Sequence, residues 1–394
     1  MASEAALQAV LGRLDAERLR FVTAAAVDAY SPTYAEEPAT AVFERHLVGE
    51  GLRVTRQAVA NPHGTAPRHN LLVRVGPEPL GLLLVGHVDT IASGEGEMAF
   101  TGAHLHGDRL VGLGSADMKS GCAAQVEALL ALAASGVPLQ RGVGLALVVG
   151  EEEYGDGSAA VPASFAAPLC IVGEPTSLQP CTSHFGYAEC HLTASGTRAH
   201  AALSGAGGSA IHAMLTWLLA VLDGVPGSDP AGTIAANARL IRGGDTLFIV
   251  ADSCDALLDL HWAPGVDPAE VLRRVELSRQ AAVLSHPACQ LTSETLFQAA
   301  AFANAPGDPR MAALRTAFGR QGMDWLPGVF PSHSDAGMFQ DRGSLTVVCG
   351  PGALRSAHAP GEFVALSEVQ AAARLYASVA WLACGAERPA RVAV

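Results

Sequence analysis

The sequence predicts an α/β protein: a mostly parallel sheet with helices on both faces, interrupted by an inserted α+β two-layer domain of β-α-β-β-α-β order. Three observations carry this. Residues 82–85, 143–149 and 169–172 are unbroken apolar runs of strand length, without the polar alternation of a sheet that wets one face. Small-residue helical stretches separate them, residues 120–135 being the clearest, as βαβ units require. Near Phe185 the pattern changes to the alternation of a half-covered sheet, beginning at residues 188–194.

The elements follow in order. Residues 3–29 carry Leu11, Leu14, Leu19 and Val22 at helical spacing among Glu, Arg and Asp, an amphipathic opening helix and not a secretory leader. Strands over 71–75 and 82–85, the helix 120–135, and strands over 143–149 and 169–172 form the first part of the parallel sheet. The insertion then reads as strand 188–194, helix 209–222, strands 233–241 and 256–261, helix 268–283 and strand 289–295. A helix over 309–322, strand 345–349 and helix 367–384 return to the first domain, and the tail after Gly385 reads as frayed. The expected division is therefore 1–184 with 300–394 as one domain and 185–299 as the other.

Composition narrows the function. A net charge of −13 offers no basic footprint for nucleic acid. No stretch approaches the roughly 18 uncharged apolar residues of a membrane span. The eight cysteines are scattered, without a C-x-x-C pair, and read as buried thiols of a cytoplasmic protein.

Acidic and imidazole side chains gather just beyond the apolar runs, where open α/β sheets collect their chemistry. His87 and Asp89 flank Val88 at a strand end, so alternation points both to one face, as a ligating imidazole oriented by a carboxylate requires. Asp117 sits in a glycine-flanked turn before a helix, a position that an N-cap would also explain. Glu151, Glu152 and Glu153 repel one another, and a fold that holds them together calls for cations. Glu174 follows the next strand, and His358 lies in the loop before Phe363. The set His87, Asp117, Glu153, Glu174 and His358 holds two nitrogens and three carboxylates without a thiolate, a mix suited to two divalent ions, zinc first and manganese or cobalt as alternatives. Such a pair activates water and polarises a carbonyl, and Glu152, free of metal, serves as general acid/base. The sequence does not say which ligand shares which metal.

The stretches GHVDT (86–90), GLGSADMKSG (112–121), GEEEYGDGS (150–158), GEPT (173–176) and SAHAPGEF (356–363) resemble, in order and spacing, those of the M20 family of metallopeptidases and deacylases. The resemblance spans nearly the whole chain. It implies a bridging role for Asp117, terminal ligation by His87, Glu153, Glu174 and His358, orientation of His87 by Asp89, and acid/base work by Glu152. It also implies that His200, in Ser195-Gly196-Thr197-Arg198-Ala199-His200, reaches the substrate from a dimer partner, which makes the insertion both lid and dimerisation surface.

Two departures bear on the substrate. The family's small-domain stretch N-x-x-P-D followed by D-x-R aligns with residues 248–252 and 259–261, which puts Phe248 and His261 where an Asn and an Arg commonly hold a carboxylate. An Arg grips a carboxylate with two parallel bonds; neither replacement does. Arg239 or Arg242 would supply the cation if the register is shifted. In Pro331-Ser332-His333-Ser334-Asp335, His333 stands where the family has glycine and either faces the substrate or packs against its loop.

The expected protein is a cytoplasmic, homodimeric, metal-dependent hydrolase that cleaves the amide C–N bond of an N-acyl amino acid, dipeptide or related small molecule. The alternatives are an aminohydrolase or amidohydrolase acting on an aromatic or other substrate outside amino-acid metabolism, and a non-catalytic binding protein on the same scaffold.

Overall fold

The computed structural model describes residues 2–64, 66–94, 96, 99–202, 207–224, 233–244 and 247–385. It divides into two compact units: Met1–Thr182 with Asn304–Gly328 and Ser334–Val394, and Ser183–Ala303 with Val329–His333. The frayed tail expected after Gly385 lies outside the described residues.

The first unit begins with helices, not strands. The expected opening helix is two, α1 (Ala2–Leu11) and α2 (Ala16–Asp28), separated where Asp15 caps the second through the Glu17 and Arg18 amides. Then come α3 (Glu37–Gly49), β1 (Val54–Val59), β2 (Arg68–Val75) and β3 (Leu80–His87). Strands β4 (His104–His106) and β5 (Arg109–Val111) follow, then α4 (Ser120–Ser135), β6 (Gly142–Val148), the short α5 (Asp156–Ala160), β7 (Leu169–Pro175) and β8 (Cys181–His184).

The second unit holds β9 (Gly186–Ser195), α6 (Ala210–Gly224), β10 (Ile234–Gly243), β11 (Ser253–Trp262), α7 (Pro268–Ser285) and β12 (Gln290–Ala299). This is the β-α-β-β-α-β order read from the sequence. The four strands form one antiparallel sheet, β10-β11-β9-β12. The short β13 (Phe302–Ala303) then pairs with His184 and Ser183 of β8.

Back in the first unit are α8 (Ala312–Arg320), β14 (Gly328–Phe330) at the division, α9 (Ala336–Asp341), β15 (Leu345–Gly350), β16 (Phe363–Ala365) and α10 (Leu366–Cys384). Its main sheet runs β1-β2-β6-β3-β7-β15, and β6, β3, β7 and β15 are parallel. Every residue of β3, β6 and β7 is buried, as their unbroken apolar sequences require. Helices α4 and α10 pack against each other with Leu129, Val369 and Tyr376 in the core. Strands β16, β5 and β4 make a separate three-stranded sheet too short for its periodicity to show in sequence.

Each unit has its own apolar core, Trp217 and Trp262 being the largest fully buried side chains of the second. Among the described residues no helix is long and apolar enough to cross a membrane. All eight cysteines are buried and free.

Candidate metal centre

Parallel register brings the acidic and imidazole groups of the first unit to one end of its sheet. His87 ends β3 opposite Val148 of β6, and Val85 sits opposite Val172 of β7, so His87, the turn after β6 and Glu174 emerge side by side.

His87 is 1% exposed. Its Nδ1 lies 3.1 Å from the Asp89 carbonyl oxygen and 3.5 Å from Asp89 Oδ1, and donation there directs Nε2 at the acidic groups. That Nε2 is 3.2 Å from Asp117 Oδ1 and 3.8 Å from both Glu151 Oε2 and Glu174 Oε1. The other carboxylate oxygen of Asp117 lies 3.6 Å from His358 Nε2, which is 3.0 Å from Glu152 Oε2. Asp117 therefore stands between two groups, His87 with Glu174 and His358 with Glu152.

Asp89 does more than orient His87. Its carboxylate accepts the backbone N–H groups of Gly150 (3.0 Å), Glu151 (3.3 Å) and Glu152 (3.1 Å) and the Thr33 hydroxyl (2.9 Å). This ties the turn after β6 down so that Glu151 and Glu152 face inward. Gly150, at φ 81°, takes the left-handed conformation that starts the turn.

The third glutamate behaves differently. Glu153 is exposed and accepts a hydrogen bond from the Tyr34 hydroxyl, so the structure does not bring it to the cluster. The sequence named Glu153 as a ligand and Glu152 as the free base; in the structure Glu152 is paired with His358, Glu151 stands beside His87, and Glu153 lies outside the cluster. A run of three identical side chains gives no sequence signal of register; the hydrogen bonds from the turn to Asp89 decide it.

Electrostatics favour a cation here. Burial, then Asp117 nearby, push the Glu174 carboxyl up to about 8. Burial likewise raises Glu151 and Glu152, the latter offset by its hydrogen bond from His358. Burial disfavours charge on His87, but Glu174 and Asp117 overcome it and raise its pKa. Buried carboxylates and imidazoles that protonate one another are groups short of positive charge. Glu174 Oε1 is buried with no hydrogen-bond partner. Ligand atoms of His87, Glu151 and Glu174, and of His87, Asp117 and Glu152, lie within 4.8 Å of one another. These donors fit divalent metal.

Comparison with known proteins agrees. Residues 83–381 match peptidase family M20/M25/M40. The chain belongs to that family. It is 28% identical to an acetylornithine deacetylase of Proteus mirabilis over 358 residues, 86% of this chain and 88% of the relative. The crystal structure of a tripeptidase from Staphylococcus aureus superposes with a TM-score of 0.78 at 18% identity, covering 94% of this chain and 99% of that one. A di-peptidase from Saccharomyces cerevisiae does so with a TM-score of 0.78 at 12% identity, covering 97% and 99%. As an M20 protein the chain is a hydrolase acting on amide bonds, and membership implies divalent-metal binding, for which the cluster supplies candidate ligands.

Two further carboxylates around the M20 centre carried no recognised signal. Glu362 is 3% exposed and accepts the backbone N–H groups of Gly114 (3.1 Å), Ala116 (2.8 Å) and Asp117 (3.0 Å), which fixes the loop that presents Asp117. Asp335 accepts the Ser158 hydroxyl at 2.6 Å, is pushed up to about 6 by burial, and adds to the negative field on Glu151. Both lie in motifs read for other residues, and nothing local distinguishes them.

The remaining expected site residues belong to the second unit. His200 is exposed, its Nδ1 accepts the Ala202 N–H at 3.2 Å, and it bridges to Ile249. Phe248 is 75% exposed, with its carbonyl accepting the Ala201 N–H. His261 and His333 instead meet each other's neighbourhood through Tyr187. The stretch 329–333, expected with the larger domain, groups with the second unit. Arg239, one proposed source of a missing cation, lies 2.8 Å from Glu189 and 3.4 Å from Asp259.

Proposed function

We propose that the chain is a two-metal amidohydrolase that cleaves the C–N bond of an N-acyl amino acid, a short peptide or a related small molecule. The reading rests on one observation above all: a buried carboxylate, Glu151, stands 3.8 Å from the imidazole of a ligand set without being tied up in an ion pair with His358. His87, Asp117 and Glu174 would hold one ion, and Asp117, Glu152 and His358 the other, with zinc suited to the donors and manganese or cobalt also compatible. Divalent metal bound there supplies Lewis acidity toward a carbonyl and toward water. Glu151 takes the proton of the attacking water and returns it to the leaving nitrogen, and Asp89 keeps His87 in its ligating tautomer.

The substrates named for the relatives, an acylated amino acid and di- and tripeptides, share an amide bond. The protein works in the cytoplasm, consistent with its eight free thiols. The test is turnover of N-acetyl amino acids and dipeptides by zinc- or manganese-loaded protein, stopped by a chelator and restored by metal. No hydrolysis in either set, with loading verified, removes this reading.

We further propose that the second unit is a lid and a homodimer surface, and that His200 reaches the substrate of the partner chain. Its exposure is consistent with that role. A His200→Ala chain mixed with a Glu151→Gln chain then regains turnover through hybrid dimers. Absence of recovery after proven subunit exchange ends the cross-chain assignment.

A further inference from the structure

The main sheet of the first unit parts where its chemistry begins. β3 stays paired with β6 as far as His87, but its pairing with β7 ends at Val85 opposite Val172. β7 stays paired with β15 through Val172 and again at Pro175. The crevice of the metal centre therefore opens between β3 and β7. His87 stands on one lip and Glu174 on the other, Nε2 and Oε1 being 3.8 Å apart.

Each of these two residues is preceded by a glycine, and one side chain of α4 lies between the glycines. Gln125 is fully buried. A Cβ at Gly173 would lie 2.8 Å from its Nε2, and a Cβ at Gly86 would lie 3.4 Å from its Oε1. Nε2 donates to the Val85 carbonyl at 2.8 Å and lies 3.5 Å from the Ile171 carbonyl oxygen on the neighbouring strand. Two carbonyl oxygens on that side fix which end of the amide is nitrogen. The carboxamide thus spans the two strands from below, at the point where their own pairing stops.

Packing alone accounts poorly for a glutamine here. The helix positions around it, Cys122, Val126 and Leu129, are buried and apolar. An apolar side chain of similar volume would fill the space without leaving a polar atom unsatisfied. Gln125 Oε1 is buried with no hydrogen-bond partner among the described residues, which costs stability. That cost falls directly beneath the strand ends that carry His87 and Glu174.

We propose that Gln125 is a positioning residue of the metal centre: its carboxamide, held between Gly86 and Gly173, sets the separation of His87 and Glu174 and thereby the affinity of the ion they share. This rests on the two-metal reading and goes beyond it by tying one of the two ions to a residue outside the ligand set. The ion held by Glu152 and His358 does not depend on it, because those side chains come from the turn after β6 and the loop before β16.

The test is Co²⁺ binding to the full-length metal-free protein, measured by equilibrium dialysis and by the visible absorption of the bound ion. Gln125→Met removes the carboxamide at nearly constant volume, so the metal-free protein keeps its fold. One of the two binding steps weakens about 10- to 100-fold, and the other changes by less than about twofold. In a His358→Ala background, which retains His87 and Glu174, the loss persists; in a His87→Ala background it disappears. Gln125→Asn, which keeps the amide but withdraws it by one methylene, gives the same selective loss and serves if the Met variant does not fold. Equal weakening of both steps in a folded variant, or none, overturns the proposal and leaves the hydrolase reading standing. A wild type that binds no Co²⁺ removes the metal reading itself and this proposal with it.

Discussion

A Glu151→Gln protein keeps its fold and its metal but loses about 10²–10⁴-fold in kcat, because the amide is isosteric and cannot carry a proton. Glu152→Gln behaves differently. It breaks the pair with His358 at 3.0 Å, so one metal equivalent is lost along with activity. Glu153→Gln, on an exposed side chain bonded to Tyr34, changes neither. Metal content and kcat measured across the three variants separate the roles. Full metal content with lost turnover in Glu152→Gln, and near-normal turnover in Glu151→Gln, would reverse the assignment.

Asp117→Ala removes the side chain that stands between the two halves, 3.2 Å from His87 on one side and 3.6 Å from His358 on the other. Both metals are therefore expected to be lost in elemental analysis, and turnover falls to background. Stability carries a second signature. Metal at 100 times its dissociation constant stabilises the wild type by about 2.7 kcal/mol, seen as a rise in Tm. The variant shows no such rise. Its metal-free form is less stable than the metal-free wild type, because, against the effect of burial, His87 and His358 hold the Asp117 carboxyl below its ordinary value and lose that partner. A metal-dependent rise in Tm of wild-type size in Asp117→Ala refutes the shared-ligand role.

The sequence made the catalytic unit legible because its strands are buried on both faces. Residues 80–86, 142–148 and 169–173 of these strands are apolar, and the first polar residues after them are His87, Glu151 and Glu174. That is why His87 and Glu174 could be named before any coordinates, whereas Asp117, His358 and the departures at Phe248, His261 and His333 were read from the motifs. The glutamate run defeated the same logic. Beyond a strand end the chain has no fixed period, and inward or outward direction depends on the turn. Here the turn is set by Asp89, whose partners lie 61 to 63 residues away. Glu362 was beyond reach for a stronger version of that reason, since it acts on amides about 245 residues distant.

The sequence by itself determined the fold class, the β-α-β-β-α-β insertion, the acidic balance and the strand ends at which chemistry collects. These follow from steric periodicity and burial, which act over a few residues. Only the tertiary structure decided which two of three adjacent glutamates face the cluster, how Asp117 divides it, and that 329–333 carries His333 into the rings of the second unit. Those outcomes depend on hydrogen bonds and ring contacts between segments far apart in the chain, whose partners no local pattern encodes.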